Sequence, residues 1–275
     1  MKDIYKNLSK IGGIGMEIKQ VLLTKNPYSR PGIKLSKVTK IVVHWVGNAN
    51  STAQANRNYF ESLKTKKIYA SSHYIIGLEG EVLLCIPENE IAYHAIEANE
   101  YSIGIENCHP NWDGKFNDKT YKSLIELCSD LCERYNLDPE KDIIRHYDVT
   151  KKECPKYYVK NIDAWLKLKE DVKNKMKEKK VDNELIEAVQ GIIDYGIQID
   201  INVWGSVKTM NMKYAKLLVE KIGKGLGKEN YEETIQYLVE QGCINTPIVW
   251  VEETFKPEYC RILLIKVNQL IKNKK

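Results

Sequence analysis

Long hydrophobic runs are missing from this 275-residue sequence, and arginine is scarce. No apolar segment approaches the roughly 20 residues that cross a membrane as a helix. The first residues also lack the apolar stretch and small-residue cleavage site of a secretory signal peptide. We therefore expect cytoplasmic synthesis without membrane insertion. Only five of the 42 basic residues are arginine, and the preference for lysine indicates an AT-rich genome.

A strong excess of either charge is absent as well. The net charge of +5 comes from 42 basic and 37 acidic residues. Such a balance attracts polyanions only weakly, and the lysines are scattered among acidic residues. We therefore expect no nucleic-acid partner. With 43% apolar and 29% charged residues, the composition is that of a globular protein with one large domain or two smaller ones.

The cysteines do not form a pattern typical of disulfides. Their number, seven, is odd, and most lie inside apolar segments. Cys128 and Cys132, for example, are four residues apart in a helical pattern. We interpret them mainly as small buried residues of a protein in a reducing compartment.

Strand and helix patterns alternate over the first part of the chain, which indicates an α/β domain. In chain order, the patterns predict a strand at Lys40–Trp45, a helix capped by Ser51 and reaching Leu63, a hairpin over residues 71–87 with its turn at Glu79-Gly80, a strand at Tyr101–Asn107, and a helix from about Asp118 to Tyr135. We assign residues 1–15 to an N-terminal extension and residues 16–170 to this domain. The charge-dense residues 167–180 are predicted to be the end of a helix that runs into a solvated linker, to which we assign residues 171–180.

A repeat occupies residues 181–275, which are predicted to form a small all-α domain. Gly196–Trp204 matches Gly242–Trp250 at an offset of 46 residues. Each copy has the pattern of a helix, a glycine stop, a loop ending in Val-Trp and a second helix. Such a unit cannot bury its apolar face alone, so the two copies should pack together. Trp204 and Trp250 are either core residues or exposed platforms for a sugar or polymer.

The segment IIRHYDVTKKECPK places His146 and Cys154 eight positions apart, with Lys152 between them. A histidine and a cysteine at this spacing can bind one zinc ion from a single loop, although the spacing alone is only moderately specific. His44 ends a predicted buried strand and could supply a third ligand, leaving a fourth position for water. A lysine beside a structural metal would repel it, but in a catalytic site it can stabilise a developing negative oxygen.

Glu106 ends the apolar strand SIGIE, where a core role is unfavourable for a carboxylate. It is either ion-paired with a surface lysine or the general base of a hydrolytic site. The remaining histidines are less informative. His73 is interpreted as an orienting or packing residue, and His109 is left unassigned.

Four segments in this order, IVVHWVGN, SSHYIIGLEGEV, AYHAIEANEYSIGIEN and RHYDVTKKECP, resemble zinc-dependent N-acetylmuramoyl-L-alanine amidases of the type 2 family. The resemblance covers about residues 36–166. It implies a mixed β-sheet flanked by helices, one zinc ion, and cleavage of the amide between N-acetylmuramic acid and L-alanine of peptidoglycan. Carried over by position, it implies metal ligands at His44, His146 and Cys154, catalytic residues at Glu106 and Lys152, and substrate-binding residues at His94 and Asn99.

One position departs from some members of the family. They have a catalytic tyrosine just before the hairpin histidine, where this sequence has Ser72. We therefore expect the chemistry to depend on Glu106, and no catalytic role passes to Tyr74.

Three functions fit the resemblance. The first is a phage or prophage endolysin for Gram-positive walls, whose C-terminal domain binds the wall and which leaves the cytoplasm when a holin opens the membrane. The second is a cytoplasmic amidase that recycles soluble muropeptides, for which the repeat has no evident use. The third is a non-catalytic recognition protein, which typically lacks the metal cysteine that Cys154 provides here. Dimerisation is the alternative role for the C-terminal repeat.

Overall fold

The computed structural model describes residues 16–205, 212–250 and 256–274, so the predicted extension over residues 1–15 lies outside the described part. The chain divides into two compact units, with the boundary between Lys177 and Glu178. Each unit has its own hydrophobic core.

The first unit contains a mixed sheet, as the resemblance implies, and the sheet has six strands among the described residues. Its strands are β1 (Ile18–Gln20), β2 (Lys40–Trp45), β3 (Tyr74–Ile76), β4 (Val82–Leu84), β5 (Ser102–Asn107) and β6 (Ile143–Arg145), in the order β1-β4-β3-β5-β2-β6. The predicted hairpin is the antiparallel pair of β3 and β4, and every other neighbouring pair is parallel. The short edge strand β1 carries no strong alternating pattern and was not predicted.

Successive side chains of β2 are buried on opposite faces of the sheet. Ile41 and Val43 lie in the main core of the unit, while Val42 packs on the opposite side with Ala95 and Ala98. Side chains in a strand alternate between faces, so His44 shares the Val42 face. Because β5, β2 and β6 are parallel, their carboxyl ends meet at one edge of the sheet, and that edge carries the residues singled out above.

The helices in the described part of the first unit are α1 (Ala53–Lys66), α2 (Asp118–Tyr135), α3 (Pro139–Asp142), α4 (His146–Thr150), α5 (Lys156–Lys160) and the start of α6 (Ile162–Asp194), with a 3₁₀ turn at Ile96–Glu100. The bounds of α2 confirm the prediction. The predicted cap of α1 was wrong by one residue: Thr52 accepts the hydrogen bond from the Ala55 N–H, and the Ser51 hydroxyl instead donates to the Asn48 carbonyl.

The charged segment 171–180, predicted to be a linker, is helical and belongs to α6. Its charges lie on one side, where Lys167 pairs with Asp171. On the other side, Leu168, Val172 and Met176 follow at four-residue spacing and pack into the first core. The helix is therefore amphipathic here, and the density of charge concealed its apolar stripe.

The described part of the second unit is helical. After the end of α6 come α7 (Ile201–Trp204), α8 (Met212–Gly225), α9 (Tyr231–Glu240), a 3₁₀ turn at Pro247–Trp250, and α10 (Pro257–Lys272). Both repeat glycines, Gly196 and Gly242, have positive φ angles, of 103° and 69°. Trp204 and Trp250 are each only 3% exposed and lie in the core. Their interpretation as core residues is confirmed, and the alternative of exposed platforms was wrong.

Across the described residues, no helix combines the length and the apolar character needed to cross a membrane.

Candidate metal centre

Three parallel strands bring the predicted ligands to one edge of the sheet. His44 on β2 lies directly opposite Glu106 on β5. Val43 pairs with Arg145 at the end of β6, so His146, the first residue of α4, follows beside His44. The rings of His44 and His146 pack with centroids 4.8 Å apart.

Cys154 reaches the same place through the loop after α4. The helix ends at Thr150 and is capped by Lys151, which adopts the left-handed conformation with φ of 65°. The loop then closes, because the Tyr147 N–H donates to the Cys154 carbonyl at 2.9 Å. Cys154 Sγ lies 3.7 Å from His44 Nδ1, and it also accepts a hydrogen bond from the Trp45 backbone.

The three side chains form a compact set of possible metal ligands. One ligand atom from each of His44, His146 and Cys154 lies within 4.8 Å of the other two. The residues are 1%, 7% and 2% exposed, respectively. His146 Nδ1 is buried and has no hydrogen-bond partner among the described residues. A metal ion bound at that atom would satisfy it.

The electrostatics of this set also fit a cation. Burial, followed by the charges of His94, His146 and Lys152, lowers the pKa of His44 well below its usual value. Burial and then Lys152 lower the pKa of His146 to about 4. Both imidazoles are therefore neutral at pH 7 and able to donate a lone pair. Burial first, then the Glu106 charge, raises the pKa of Cys154 to about 12, so its thiolate needs a bound cation nearby.

Two imidazole nitrogens and one cysteine sulfur are a normal donor set for zinc. The residues present thus fit the ion that the sequence resemblance implies.

Glu106 faces this set from β5. Its Oε2 is buried without a hydrogen-bond partner among the described residues. Burial raises the pKa of Glu106 to about 8, against the opposing effect of the Lys152 ammonium. An unsatisfied carboxyl with a raised pKa beside candidate ligands is typical of a general acid–base.

Lys152 lies in the loop between His146 and Cys154 and is exposed. Its charge influences Glu106 and all three candidate ligands, which places the ammonium near the whole set. Within the described residues, no ion pair engages it. It is thus available to another negative group.

The two predicted substrate-binding residues, His94 and Asn99, make protein contacts. His94 is 9% exposed, and its Nδ1 lies 3.1 Å from His44 Nε2. Asn99 Oδ1 accepts from the backbone N–H groups of His94 and Ala95, at 2.8 Å each. Binding of substrate by either residue stays a prediction.

The other singled-out side chains lie outside the ligand set. His73 Nδ1 accepts from the Gly104 N–H at 3.0 Å, while its Nε2 donates to the Glu90 carbonyl at 2.9 Å, as an orienting or packing role requires. The Ser72 hydroxyl is buried and bonded to the backbone. His109 stacks on Trp45 with ring centroids 4.6 Å apart.

Sequence reasoning missed two contributors. One is the Trp45 backbone, which bonds to Cys154. The other is Gly104, over which the His94 ring lies. A glycine inside the apolar strand SIGIE was a signal for a close approach by another group.

Residues 34–157 match the model of the N-acetylmuramoyl-L-alanine amidase family. The chain is 36% identical over 176 residues to the N-acetylmuramoyl-L-alanine amidase BlyA of Bacillus subtilis (strain 168), a match covering 57% of this chain and 47% of the relative. It is 39% identical over 148 residues to the N-acetylmuramoyl-L-alanine amidase CwlL of Bacillus licheniformis, covering 49% of this chain and 40% of the relative. The chain thus spans less than half the length of these curated relatives.

Among solved structures, the catalytic domain of XlyA is similar, with 26% identity and a TM-score of 0.49. That match covers 57% of this chain and 99% of the other.

Proposed function

We propose that this chain, whose residues 34–157 form an N-acetylmuramoyl-L-alanine amidase domain, is a zinc-dependent peptidoglycan hydrolase of the endolysin type. The bond cleaved is the amide between N-acetylmuramic acid and L-alanine. The observation that carries the proposal is the meeting of His44, His146 and Cys154 with the unsatisfied carboxyl of Glu106 at one sheet edge.

In this proposal, His44, His146 and Cys154 would hold one zinc ion, and His44 Nδ1 and Cys154 Sγ already lie 3.7 Å apart. The orphaned Nδ1 of His146 is the atom that supports its inclusion. A bound zinc ion supplies Lewis-acid polarisation of a carbonyl and makes water a stronger acid.

Glu106 moves the proton. Its buried Oε2 accepts the proton of the attacking water and later gives it to the departing amine of L-alanine. The raised pKa supports both directions, because a carboxyl with a pKa near the working pH can take up and release a proton.

Lys152 stabilises the negative oxygen that forms when water adds to the amide carbonyl. Its exposed ammonium is near Glu106 and the candidate ligands but is not engaged in an ion pair with the described residues. Preorganised donors of this kind typically contribute about 2.7–4 kcal/mol each to the transition state.

The second unit is proposed to bind the Gram-positive cell wall. A separate helical domain with its own core would have little use in an amidase that recycles soluble muropeptides, which favours the endolysin. An endolysin of this organisation would reach the wall after a holin-type protein opens the membrane. Retention of Cys154 and Lys152 argues against a non-catalytic binding protein.

The test uses purified protein on bare Gram-positive walls. Amidase action exposes new N-terminal alanine without new reducing sugar ends. Cys154→Ala should lose both zinc and activity, whereas Cys128→Ala, at an equally buried cysteine on α2, should keep both. New reducing ends in place of N-terminal alanine, or full activity in Cys154→Ala, would contradict the proposal.

A further inference from the structure

The His94 imidazole makes side-chain hydrogen bonds that a packing residue would not need. Its Nδ1 lies 3.1 Å from His44 Nε2, with the two rings nearly perpendicular at 88°. On the other side, its Nε2 lies 3.4 Å from Ser102 Oγ, and the Ser102 backbone also accepts a hydrogen bond from the ring. The Ser102 hydroxyl in turn donates to the Ala98 carbonyl. His94 therefore connects a candidate metal ligand to the backbone of the neighbouring loop.

The direction of these hydrogen bonds follows from the chemistry of the ligand. If His44 Nδ1 is to donate a lone pair to a metal, the ring proton must reside on Nε2. The His44 Nε2–H can then donate only to an acceptor, which His94 Nδ1 provides. His94 must carry its own proton on Nε2, where Ser102 accepts it. With the opposite tautomers, His44 Nδ1 would bear a proton and could not ligate.

The backbone of β5 leaves space for this arrangement at one residue. A Cβ atom at Gly104 would lie 2.5 Å from His94 Cγ and 2.7 Å from its Nδ1. Both atoms belong to a ring that is enclosed, so neither can move away freely. The His94 imidazole can therefore lie against β5 at Gly104 because this residue has no side chain.

The loop that carries His94 is fixed separately. Asn99 Oδ1 accepts from the N–H groups of His94 and Ala95, at 2.8 Å each. The Asn99 side chain thus fixes the backbone of His94, whereas His44 and Ser102 contact its ring. His73 differs, because its ring nitrogens bond only to backbone groups.

We propose that His94 is a positioning residue, which holds the His44 ring in the tautomer and orientation that leave His44 Nδ1 free for the metal. Gly104, which has no side chain, leaves the space that the His94 ring requires. The inference rests on the metal site of the proposed function. Partners of this kind typically change metal affinity by about 10–100-fold when they are removed.

The experiment measures zinc affinity of the full chain by competition with a chromophoric chelator, together with the visible absorption spectrum of the Co²⁺-substituted protein. His94→Leu should bind zinc about 10–100-fold more weakly and alter the Co²⁺ spectrum. Gly104→Ala should do the same without removing any hydrogen-bonding group. His94→Asn should recover part of the affinity, because an amide oxygen can accept from His44.

Leu127→Ala, in the core on α2, controls for lost stability and should leave zinc affinity unchanged. A folded His94→Leu with wild-type affinity and an unchanged Co²⁺ spectrum would overturn the inference while leaving the proposed function intact. If His94→Leu does not fold, wild-type affinity in both His94→Asn and Gly104→Ala overturns it instead. Absence of zinc binding in the wild type would reject the metal site itself.

Discussion

At the scale of single residues, position in the strand pattern made the candidate site predictable. His44 and Glu106 are the next-to-last residues of their strands, and parallel strands present their carboxyl ends at one edge. The role of His94 could not be predicted in this way. It lies 50 residues from His44 in the chain, and its orientation depends on a space above Gly104 that exists only once the strands are paired.

Lys152→Met is predicted to lower the turnover rate by about 10²–10³-fold, because one donor to the negative oxygen is lost. Zinc affinity should stay the same or rise, because the ammonium repels a cation. Lys151→Met makes the same charge change one residue away, and it should have little effect on either quantity. Steady-state rates and chelator competition provide the measurement. A loss of zinc in Lys152→Met equal to the loss of rate would contradict a role in stabilising the oxyanion.

At the scale of elements, apolar patterns were reliable and charge density was not. The helix α2 was predicted to run from about Asp118 to Tyr135, from its apolar stripe and the break at Asp138-Pro139, and in the structure it ends at a left-handed cap, Asn136. The charged run in α6 concealed buried residues at every fourth position. One lysine there, Lys175, pairs with Glu126 on α2, a partner that only the tertiary fold provides.

The buried Glu88 carboxylate links the sheet to the helix α2 through hydrogen bonds. Glu88 follows β4 and accepts hydrogen bonds from the Arg134 guanidinium at 2.6 and 2.7 Å and from the Tyr74 and Tyr135 hydroxyls. Burial alone would raise the pKa of Glu88, but these donors and the Arg134 charge outweigh it, so that its pKa lies below the usual value.

The ionised Glu88 therefore stabilises the fold above the unfolded-state pKa of about 4.3, and this stabilisation is lost as the pH falls through the lower folded-state pKa. Glu88→Gln should reduce the free energy of unfolding by about 1.5–3 kcal/mol at pH 7. The difference from wild type should shrink below about pH 4. Urea unfolding at several pH values, monitored by hydrogen exchange of peptides from α2, measures the difference in the free energy of unfolding. A difference independent of pH would contradict the ionised role.

At the level of the whole molecule, the candidate metal centre lies in the first unit, and the second unit has a core of its own. The 46-residue repeat predicted two related helical halves, and the paired positive-φ glycines and buried tryptophans agree with it. What the second unit binds could not be predicted, because Trp204 and Trp250, the residues that suggested a sugar platform, hold the core together.

We predict that residues 181–275 alone co-sediment with Gram-positive walls. The full chain should also cleave walls at lower concentrations than Met16–Lys177, while both hydrolyse a short soluble muropeptide equally. Sedimentation with walls from several species and dose–response lysis assays give the two readouts. If the fragment binds no wall of any type and sediments as a dimer in the ultracentrifuge, dimerisation is the role of the repeat.

Proton transfer by Glu106, at a zinc site formed by His44, His146 and Cys154, is the step on which the proposed function depends. The most direct measurement compares wild type with Glu106→Gln, determining zinc content and the rate at which new N-terminal alanine appears from cell walls. We expect one zinc per chain in both proteins and a rate at least about 10²-fold lower in the variant. A variant that keeps its zinc and releases alanine at the wild-type rate would contradict it.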